Sequence, residues 1–195
     1  MVKIKDKEYF AKGKRYLVYT GYYKNKKAII KEPISKINTI ENEARFLKLL
    51  NKYKIGPKLF YYDEKKLVCE FIDGIKIIDW LKINNKSKIK LTLKKILDQC
   101  RKLDELKIDK KELTNPYKHI IINKKPIMID FERCKFVKNP KNVTQFCQFL
   151  TSINVYLILK EKGIGFDKDK LIENLRLYKK YYDKNSYDSI LRIIL

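Results

Sequence analysis

The spacing of hydrophobic residues changes at Asp73-Gly74, and this change constrains the fold more than any other feature of the sequence. Before it, apolar residues alternate with polar ones in short stretches separated by turn residues, which predicts β-strands. After it, apolar residues recur every three or four positions, which predicts helices. We therefore expect an α+β protein with a strand-rich front, residues 1–73, and a helical back, residues 74–195.

The front part contains a predicted series of hairpin, helix and hairpin. The first hairpin joins residues 16–20 to residues 28–31, and the second joins residues 58–62 to residues 66–72. Between them, a cap signal over residues 38–41 precedes apolar residues with helical spacing up to Leu50, and Gly56-Pro57 ends the helix.

The back part is predicted to be mainly helical. The expected helices are a short one from residue 77, a long one over residues 89–106, then residues 143–162, residues 170–182 and a terminal stretch through Leu195. A small hairpin is expected from residues 120–122 and 127–129.

Lysine dominates the charge of the chain. There are 46 Lys and Arg against 23 Asp and Glu, a formal net charge of +23, and 40 of the basic residues are lysines. Evenly spread lysine is typical of a charged surface, whereas proteins that read bases use arginine more often. We expect salt-dependent attraction to polyanions. Because 45% of the residues are hydrophobic, a disordered basic tail is excluded.

The four cysteines, Cys69, Cys100, Cys134 and Cys147, form no C-x-x-C pair, and each has apolar neighbours. This pattern predicts reduced, buried thiols in a cytoplasmic protein. Charged residues interrupt the apolar ones at the start of the chain, so we expect no signal peptide there. No apolar stretch approaches ~18 residues, so we expect no membrane-spanning segment and no membrane partner.

Three charged residues lie in short motifs that are far apart in the sequence. Lys31 ends the strand Ala28-Ile29-Ile30-Lys31, Glu43 lies on the first predicted helix, and Asp130 follows a strand in Ile129-Asp130-Phe131-Glu132. Taken singly, Lys31 and Glu43 also fit a solvated charged surface, and Asp130 also fits a buried carboxylate that caps a turn. Their occurrence together, in this order, favours a shared functional site.

In their residues and their order these motifs resemble the protein-kinase-like fold. The resemblance is to the small atypical kinases of the RIO type, the lipopolysaccharide-core type and the kinase partner of the tRNA threonylcarbamoyl-modifying complex. It covers about residues 8–149 and implies a single kinase-like domain with two lobes. Residues 1–73 would form a small antiparallel-sheet N-lobe with one helix, and residues 74–195 would form a mostly helical C-lobe.

The resemblance also implies roles for individual residues. Lys31 would contact the α- and β-phosphates of ATP, and Glu43 would orient Lys31 through an ion pair. Asp130 would hold Mg²⁺ against the β- and γ-phosphates, and Glu132 replaces the glycine of the D-F-G motif. Gly13 would let the backbone approach the phosphates. The backbone carbonyl of Glu70 and the amide of Ile72 would pair with the adenine edge.

The catalytic loop departs most from the family pattern. Glu112, in Lys110-Lys111-Glu112-Leu113, stands at the position of the catalytic aspartate, and its carboxylate retains the ability to orient an acceptor hydroxyl. His119 stands where the family has an asparagine. The resemblance therefore implies that His119 is a metal ligand together with Asp130, although imidazole is a softer ligand than magnesium prefers. Without the resemblance, Glu112 fits an exposed charged turn equally well, and His119 fits a core histidine bonded to the backbone.

Two functions follow as expectations. The first is an ATP- and magnesium-dependent phosphotransferase, a serine/threonine protein kinase of the small atypical type, acting on a protein substrate or on itself. The alternative is a catalytically weak kinase-like module that binds nucleotide, RNA, a ribonucleoprotein complex or a partner protein. Aromatic pairs such as Tyr22-Tyr23 suit stacking on nucleic acid, yet one ring of each pair would face the core.

Overall fold

The structure, a computed structural model, describes residues 3–34 and 39–195. Its described residues form two compact units. The first unit lies within Met1–Asp73 and also includes Ile127–Cys134, and the second comprises Gly74–Pro126 and Lys135–Leu195. The segment that carries Asp130 therefore belongs to the first unit, although it lies in the predicted back part of the chain, residues 74–195.

A five-stranded antiparallel sheet forms most of the first unit. Its strands are β1 (Lys5–Lys12), β2 (Tyr16–Tyr23), β3 (Lys26–Pro33), β4 (Leu59–Tyr62) and β5 (Leu67–Glu70), in the spatial order β1-β2-β3-β5-β4. The predicted hairpins correspond to β2–β3 and β4–β5, which are both paired antiparallel. The charged N-terminal stretch adds β1, an edge strand whose residues are almost all exposed.

One helix, α1 (Ile40–Leu50), packs within the first unit. Its buried face includes Ala44, Phe46, Leu47 and Leu50, whose spacing of three and four residues is that of an amphipathic helix. The helix prediction is confirmed. Thr39 takes the N-cap position without a side-chain cap bond, and Asn38, part of the predicted cap signal, lies outside the described residues.

The second unit contains the other described helices: α2 (Ile77–Ile83), α3 (Lys86–Glu105), α4 (Asn142–Thr151), α5 (Ile153–Glu161), α6 (Lys168–Tyr181) and α7 (Lys184–Ile194). It also contains short strands: β6 (Ile75–Lys76) pairs with β8 (Ile120–Ile122), and β7 (Ile108–Asp109) pairs with β10 (Lys135–Phe136). Strand β9 (Pro126–Met128) leads the chain from the second unit into the first. The whole protein is α+β, as predicted.

The prediction of one continuous helix over residues 143–162 is wrong. The chain leaves the helical conformation at Ser152, whose φ of −60° and ψ of 143° are those of an extended residue. The hydroxyl and the amide of Ser152 both donate to the carbonyl oxygen of Phe149 and so satisfy the end of α4. Serine competes with helical hydrogen bonding in this way, and apolar spacing does not reveal it.

The four cysteines are free and buried, as their apolar neighbours predicted. Burial raises the pKa of the Cys69 thiol to about 12. Among residues 3–34 and 39–195, no helix is both long enough and apolar enough to span a membrane.

Candidate nucleotide site in the first unit

Lys31 lies on β3 and reaches α1. Its Nζ is 2.8 Å from Glu43 Oε1 and 2.9 Å from Glu43 Oε2, so both carboxylate oxygens accept from one ammonium group. The same Nζ lies 3.3 Å from Asp130 Oδ1. The ion pair that the resemblance implies is therefore present, and Asp130 stands next to it.

Glu43 is placed by the register of α1. It shares the inward side of the helix with Ala44 and Leu47, and only 2% of its side chain is exposed. A carboxylate at this depth needs a charged or hydrogen-bonding partner to offset its lost hydration. Lys31 supplies that partner, which explains why a glutamate is tolerated on an otherwise apolar face.

Lys31 stays charged in this setting. Burial alone would lower the pKa of its ammonium group, but the carboxylates of Glu43 and Asp130 outweigh burial and raise that pKa well above its ordinary value. Lys31 is thus a fixed positive charge at neutral pH. A positive charge held in one orientation is suited to bind a phosphate oxygen.

Asp130 adopts an unusual backbone conformation. Its φ is +66°, in the left-handed region that residues with a Cβ seldom occupy, at a cost of about 1 kcal/mol or more. The neighbouring chain is firmly held, since the amide of Phe131 donates to Glu43 Oε1 at 3.2 Å. The amide of Cys134 also donates to the carbonyl of Phe131 at 3.1 Å. These bonds maintain the conformation that presents the Asp130 carboxylate to Lys31.

Phe131 anchors the same segment by packing. Its ring is fully buried and lies against Gly56, where an added Cβ would come within 2.9 Å of Phe131 Cε2 and 3.0 Å of Leu47 Cδ2. Gly56 also has a φ of +79°. The glycine that ends the helical region is therefore required both by its conformation and by the close approach of Phe131.

Two polar residues, which no motif in the sequence predicts as partners of this segment, also hold it. Arg15 Nη1 lies 2.6 Å from Glu132 Oε1, and Asn42 Nδ2 donates to the carbonyls of Glu132 and Cys134 at 2.9 and 3.0 Å. Asn42 immediately precedes Glu43, and Glu132 departs from the family motif. Both features can be seen in the sequence, but neither of them identifies a hydrogen-bond partner that is distant in sequence.

The turn between β1 and β2 contains Gly13, the one glycine that the resemblance assigned to phosphate binding. The amide of Gly13 donates to the carbonyl of Tyr16 at 2.8 Å, which closes the turn. An added Cβ at Gly13 would meet the Tyr16 carbonyl oxygen at 3.5 Å, an ordinary contact. Local folding therefore does not require glycine here.

Glu70 and Ile72 stand at the end of β5 and just beyond it. Glu70 pairs with Ala28 across the sheet, its amide donates to the carbonyl of Lys58, and its carboxylate accepts from the amide of Lys58. The amide of Phe71 donates to the carbonyl of Lys27. Ile72 follows these pairings outside any strand and is half-buried.

Glu112 and His119 belong to the second unit. Glu112 begins a 3-10 turn (Glu112–Thr114), and its Oε2 lies 3.7 Å from Nζ of Lys110, whose side chain is fully buried. His119 follows the 3-10 turn Pro116–Lys118, and its amide donates to the Pro116 carbonyl at 2.8 Å. Glu112 is thus largely buried beside an ammonium group and does not lie in an exposed charged turn.

A buried hydrogen-bond network supports the chain before Glu112. Asn142 Oδ1 accepts from the amide of Lys110 at 3.0 Å, and Asn142 Nδ2 donates to Asp104 Oδ1 at 2.7 Å and to the Ile108 carbonyl at 2.6 Å. The hydroxyl of Tyr178 donates to Asp104 Oδ2 at 3.0 Å. No local sequence pattern predicts this network, because Asp104 and Asn142 are 38 positions apart.

The described residues do not contain a group of three or more His, Cys, Asp or Glu side chains arranged to hold a metal. A Mg²⁺ bound with a nucleotide needs less from the protein, because one or two carboxylates suffice when phosphates and water complete the shell. Asp130 fits that requirement, since its carboxylate is hard and about one third exposed. His119 fits it poorly, because imidazole nitrogen is not a preferred magnesium ligand.

Comparison with known proteins finds an archaeal relative of the chain. No family model matches the chain. The uncharacterized protein MJ1211 of Methanocaldococcus jannaschii is 33% identical over 114 residues, which cover 57% of this chain and 98% of that protein. The alignment therefore covers nearly all of the relative, whereas this chain extends beyond the aligned region. The chain belongs to the same family as the uncharacterized protein MJ1211.

Proposed function

We propose that the protein is an ATP- and magnesium-dependent phosphotransferase with a two-lobed, protein-kinase-like fold, and that it acts as a serine/threonine protein kinase of the small atypical type. The observation that carries the proposal is the contact of Lys31 with both Glu43 and Asp130. This contact places an ammonium group that can bind phosphate beside a carboxylate that can bind magnesium. Phosphoryl transfer uses charges of both kinds.

The proposed roles follow from the contacts. Glu43 holds Lys31 in a single orientation, so that little rotamer entropy is lost when Lys31 binds the α- and β-phosphates. Asp130 holds the magnesium ion, which when bound neutralises charge on the β- and γ-phosphates. Gly13 leaves the backbone of its turn open to the phosphates, and the backbone at Glu70 and Ile72 binds the adenine edge. Glu112 orients the acceptor hydroxyl.

The contact between Glu112 and Lys110 favours the second candidate, a nucleotide-binding module with weak catalysis. A buried ammonium 3.7 Å from Glu112 Oε2 attracts the same carboxylate that must accept a proton from the acceptor. In that case the Lys31, Glu43 and Asp130 site would bind nucleotide without efficient transfer.

The deciding experiment incubates purified protein with Mg²⁺ and γ-labelled ATP. It measures label on the protein, released phosphate and the nucleotide-dependent shift in melting temperature. Asp130→Asn is the test variant, and Asp169→Asn, at an exposed position in α6, is the matched control. We expect label or phosphate from the wild type and from Asp169→Asn, and none from Asp130→Asn.

The other outcomes separate the two candidates. A melting shift without label or phosphate would favour the binding module. Equal label from Asp130→Asn would contradict the mechanism, and the absence of both transfer and a melting shift would contradict a nucleotide site of either kind.

A further inference from the structure

The five-stranded sheet of the first unit has two different faces. Lys31 lies on the face that meets α1, and its neighbour Ile30 points to the opposite face because side chains alternate along a strand. Cross-strand pairing places Tyr19 beside Ile30 and Tyr9 beside Tyr19. Tyrosines therefore occupy the face opposite the candidate nucleotide site.

We call this surface the tyrosine face and define it by Tyr9, Tyr19, Tyr23, Lys7 and Lys24. The rings of Tyr9 and Tyr19 meet edge to face with centroids 6.2 Å apart. Lys7 Nζ lies 3.9 Å from the centre of the Tyr19 ring, and Lys24 Nζ lies 5.5 Å from the centre of the Tyr23 ring. Aromatic rings and ammonium groups are thus interleaved along one surface.

The tyrosine face combines two half-buried rings, Tyr19 and Tyr23, with one exposed ring, Tyr9. Tyr19 and Tyr23 pack on Ala28, Ile30 and Val68, which are completely buried. Tyr9 stands at the edge of the sheet with 63% of its surface exposed. Because Tyr9 contacts Tyr19, which packs on the core, its exposed ring loses little conformational entropy when a ligand stacks on it.

The segment that contains β1, β2 and β3 carries an excess of positive charge, which is spread over both faces of the sheet. Residues 3–34 contain ten Lys or Arg and three Asp or Glu. One of the three acids, Glu32, is paired with Lys7 at 2.7 Å. The partner that complements the surface therefore combines repeated negative charge with flat aromatic groups.

We propose that the tyrosine face binds single-stranded RNA, with a base stacked on Tyr9 and with Lys7 and Lys24 close to phosphates. Every base has a face that can stack, and a single strand leaves that face free, whereas a duplex does not. Tyrosine hydroxyls and lysine ammonium groups can also bind the ribose 2′-hydroxyl, which DNA lacks. The proposal does not depend on phosphotransferase activity.

The test measures the binding of the full-length protein to a fluorescent 12-nucleotide oligouridine by anisotropy over a series of salt concentrations. Tyr9→Ala removes the exposed ring, and Lys24→Gln removes one charge. The matched controls are Tyr181→Ala and Lys180→Gln in α6, where Tyr181 is 55% exposed and Lys180 Nζ lies 5.0 Å from its ring centre. Circular dichroism establishes that each variant is folded.

We expect Tyr9→Ala to weaken binding about tenfold without changing the salt dependence, since it removes stacking only. Lys24→Gln should reduce the slope of log affinity against log salt by about 0.7, the value for one phosphate contact on a single strand. Both controls should bind like the wild type. A duplex RNA with the same number of phosphates should bind more weakly.

Three results would overturn the proposal. They are unchanged affinity of Tyr9→Ala, equal losses for Tyr9→Ala and Tyr181→Ala, and binding of the duplex as tight as that of the single strand. Equal affinity for oligothymidine DNA would overturn the assignment to RNA.

Discussion

The backbone amide of Phe131 donates to Glu43 Oε1, 3.2 Å away, and the same carboxylate accepts two bonds from Lys31. Glu43 therefore couples the lysine on β3 to the segment that carries Asp130. Because the carboxylate is almost completely buried, these bonds are little weakened by water. A single side chain thus sets the positions of both charged groups in the candidate site.

This coupling predicts non-additive stability changes at Lys31 and Glu43. Glu43→Leu leaves a buried ammonium beside Asp130 only, and Lys31→Met leaves a buried carboxylate with no counter-charge from β3, so each should cost about 3 kcal/mol of unfolding free energy. The double variant should cost less than the sum, since it leaves neither charge uncompensated. Urea denaturation followed by circular dichroism measures the cycle. Additive losses would show that the two side chains are not coupled.

The ion pair between Arg15 and Glu132 predicts a charge-swap rescue. Arg15→Glu and Glu132→Arg each place like charges together, and we expect the double variant to regain about 1 kcal/mol of unfolding free energy relative to their sum. If the turn that contains Gly13 covers phosphates, each single variant should also raise the KM for ATP more than it lowers kcat. Denaturation and steady-state kinetics test the two parts separately, and a double variant no better than predicted by addition would contradict the pairing.

Gly13 and Gly56 should respond differently to alanine. Gly56→Ala places a Cβ 2.9 Å from Phe131 at a positive φ and should cost about 2 kcal/mol of stability. Gly13→Ala meets no such obstacle and should stay within about 0.5 kcal/mol of the wild type. Any rise in the KM for ATP in Gly13→Ala would then reflect lost access to the backbone, because folding is unaffected. A large loss of stability in Gly13→Ala, measured by denaturation, would remove that distinction.

The buried carboxyl of Asp104 predicts a pH dependence of stability. Burial raises the pKa of Asp104 above its unfolded value of 3.8, although donors from Asn142, Val143 and Tyr178 act in the opposite direction. The carboxyl therefore contributes most to stability below pH 3.8, and this contribution is lost as the pH rises through the higher folded pKa.

Asp104→Asn removes this titration and tests its direction. The unfolding free energy of the wild type minus that of Asp104→Asn should become more positive as the pH is lowered from 7 to 4, because only the wild type gains stability when Asp104 is protonated. Urea denaturation at the two pH values provides the measurement, and Asp169→Asn, on the exposed side of α6, serves as the control. A difference that is constant or shrinks toward pH 4 would contradict the raised pKa.

Local sequence patterns predict most of the secondary structure. Alternation of apolar residues predicted β2 to β5, and spacing of three and four predicted α1 and α3, because these periods depend on local geometry alone. Lys31, Glu43 and Asp130 could likewise be selected from short motifs. The break at Ser152 could not, since it depends on side-chain hydrogen bonds to the carbonyl of Phe149 and leaves the apolar spacing unchanged.

Which distant residues meet depends on how the elements pack. Lys31 and Asp130 are 99 positions apart, Arg15 and Glu132 are 117 apart, and no local pattern specifies either pair. The grouping of Ile127–Cys134 with the first unit brings them together. The same holds for the tyrosine face, where strand register decides which rings are exposed and which lie over the core. Long-range contacts arise from packing of the whole unit, and local sequence encodes only the elements that pack.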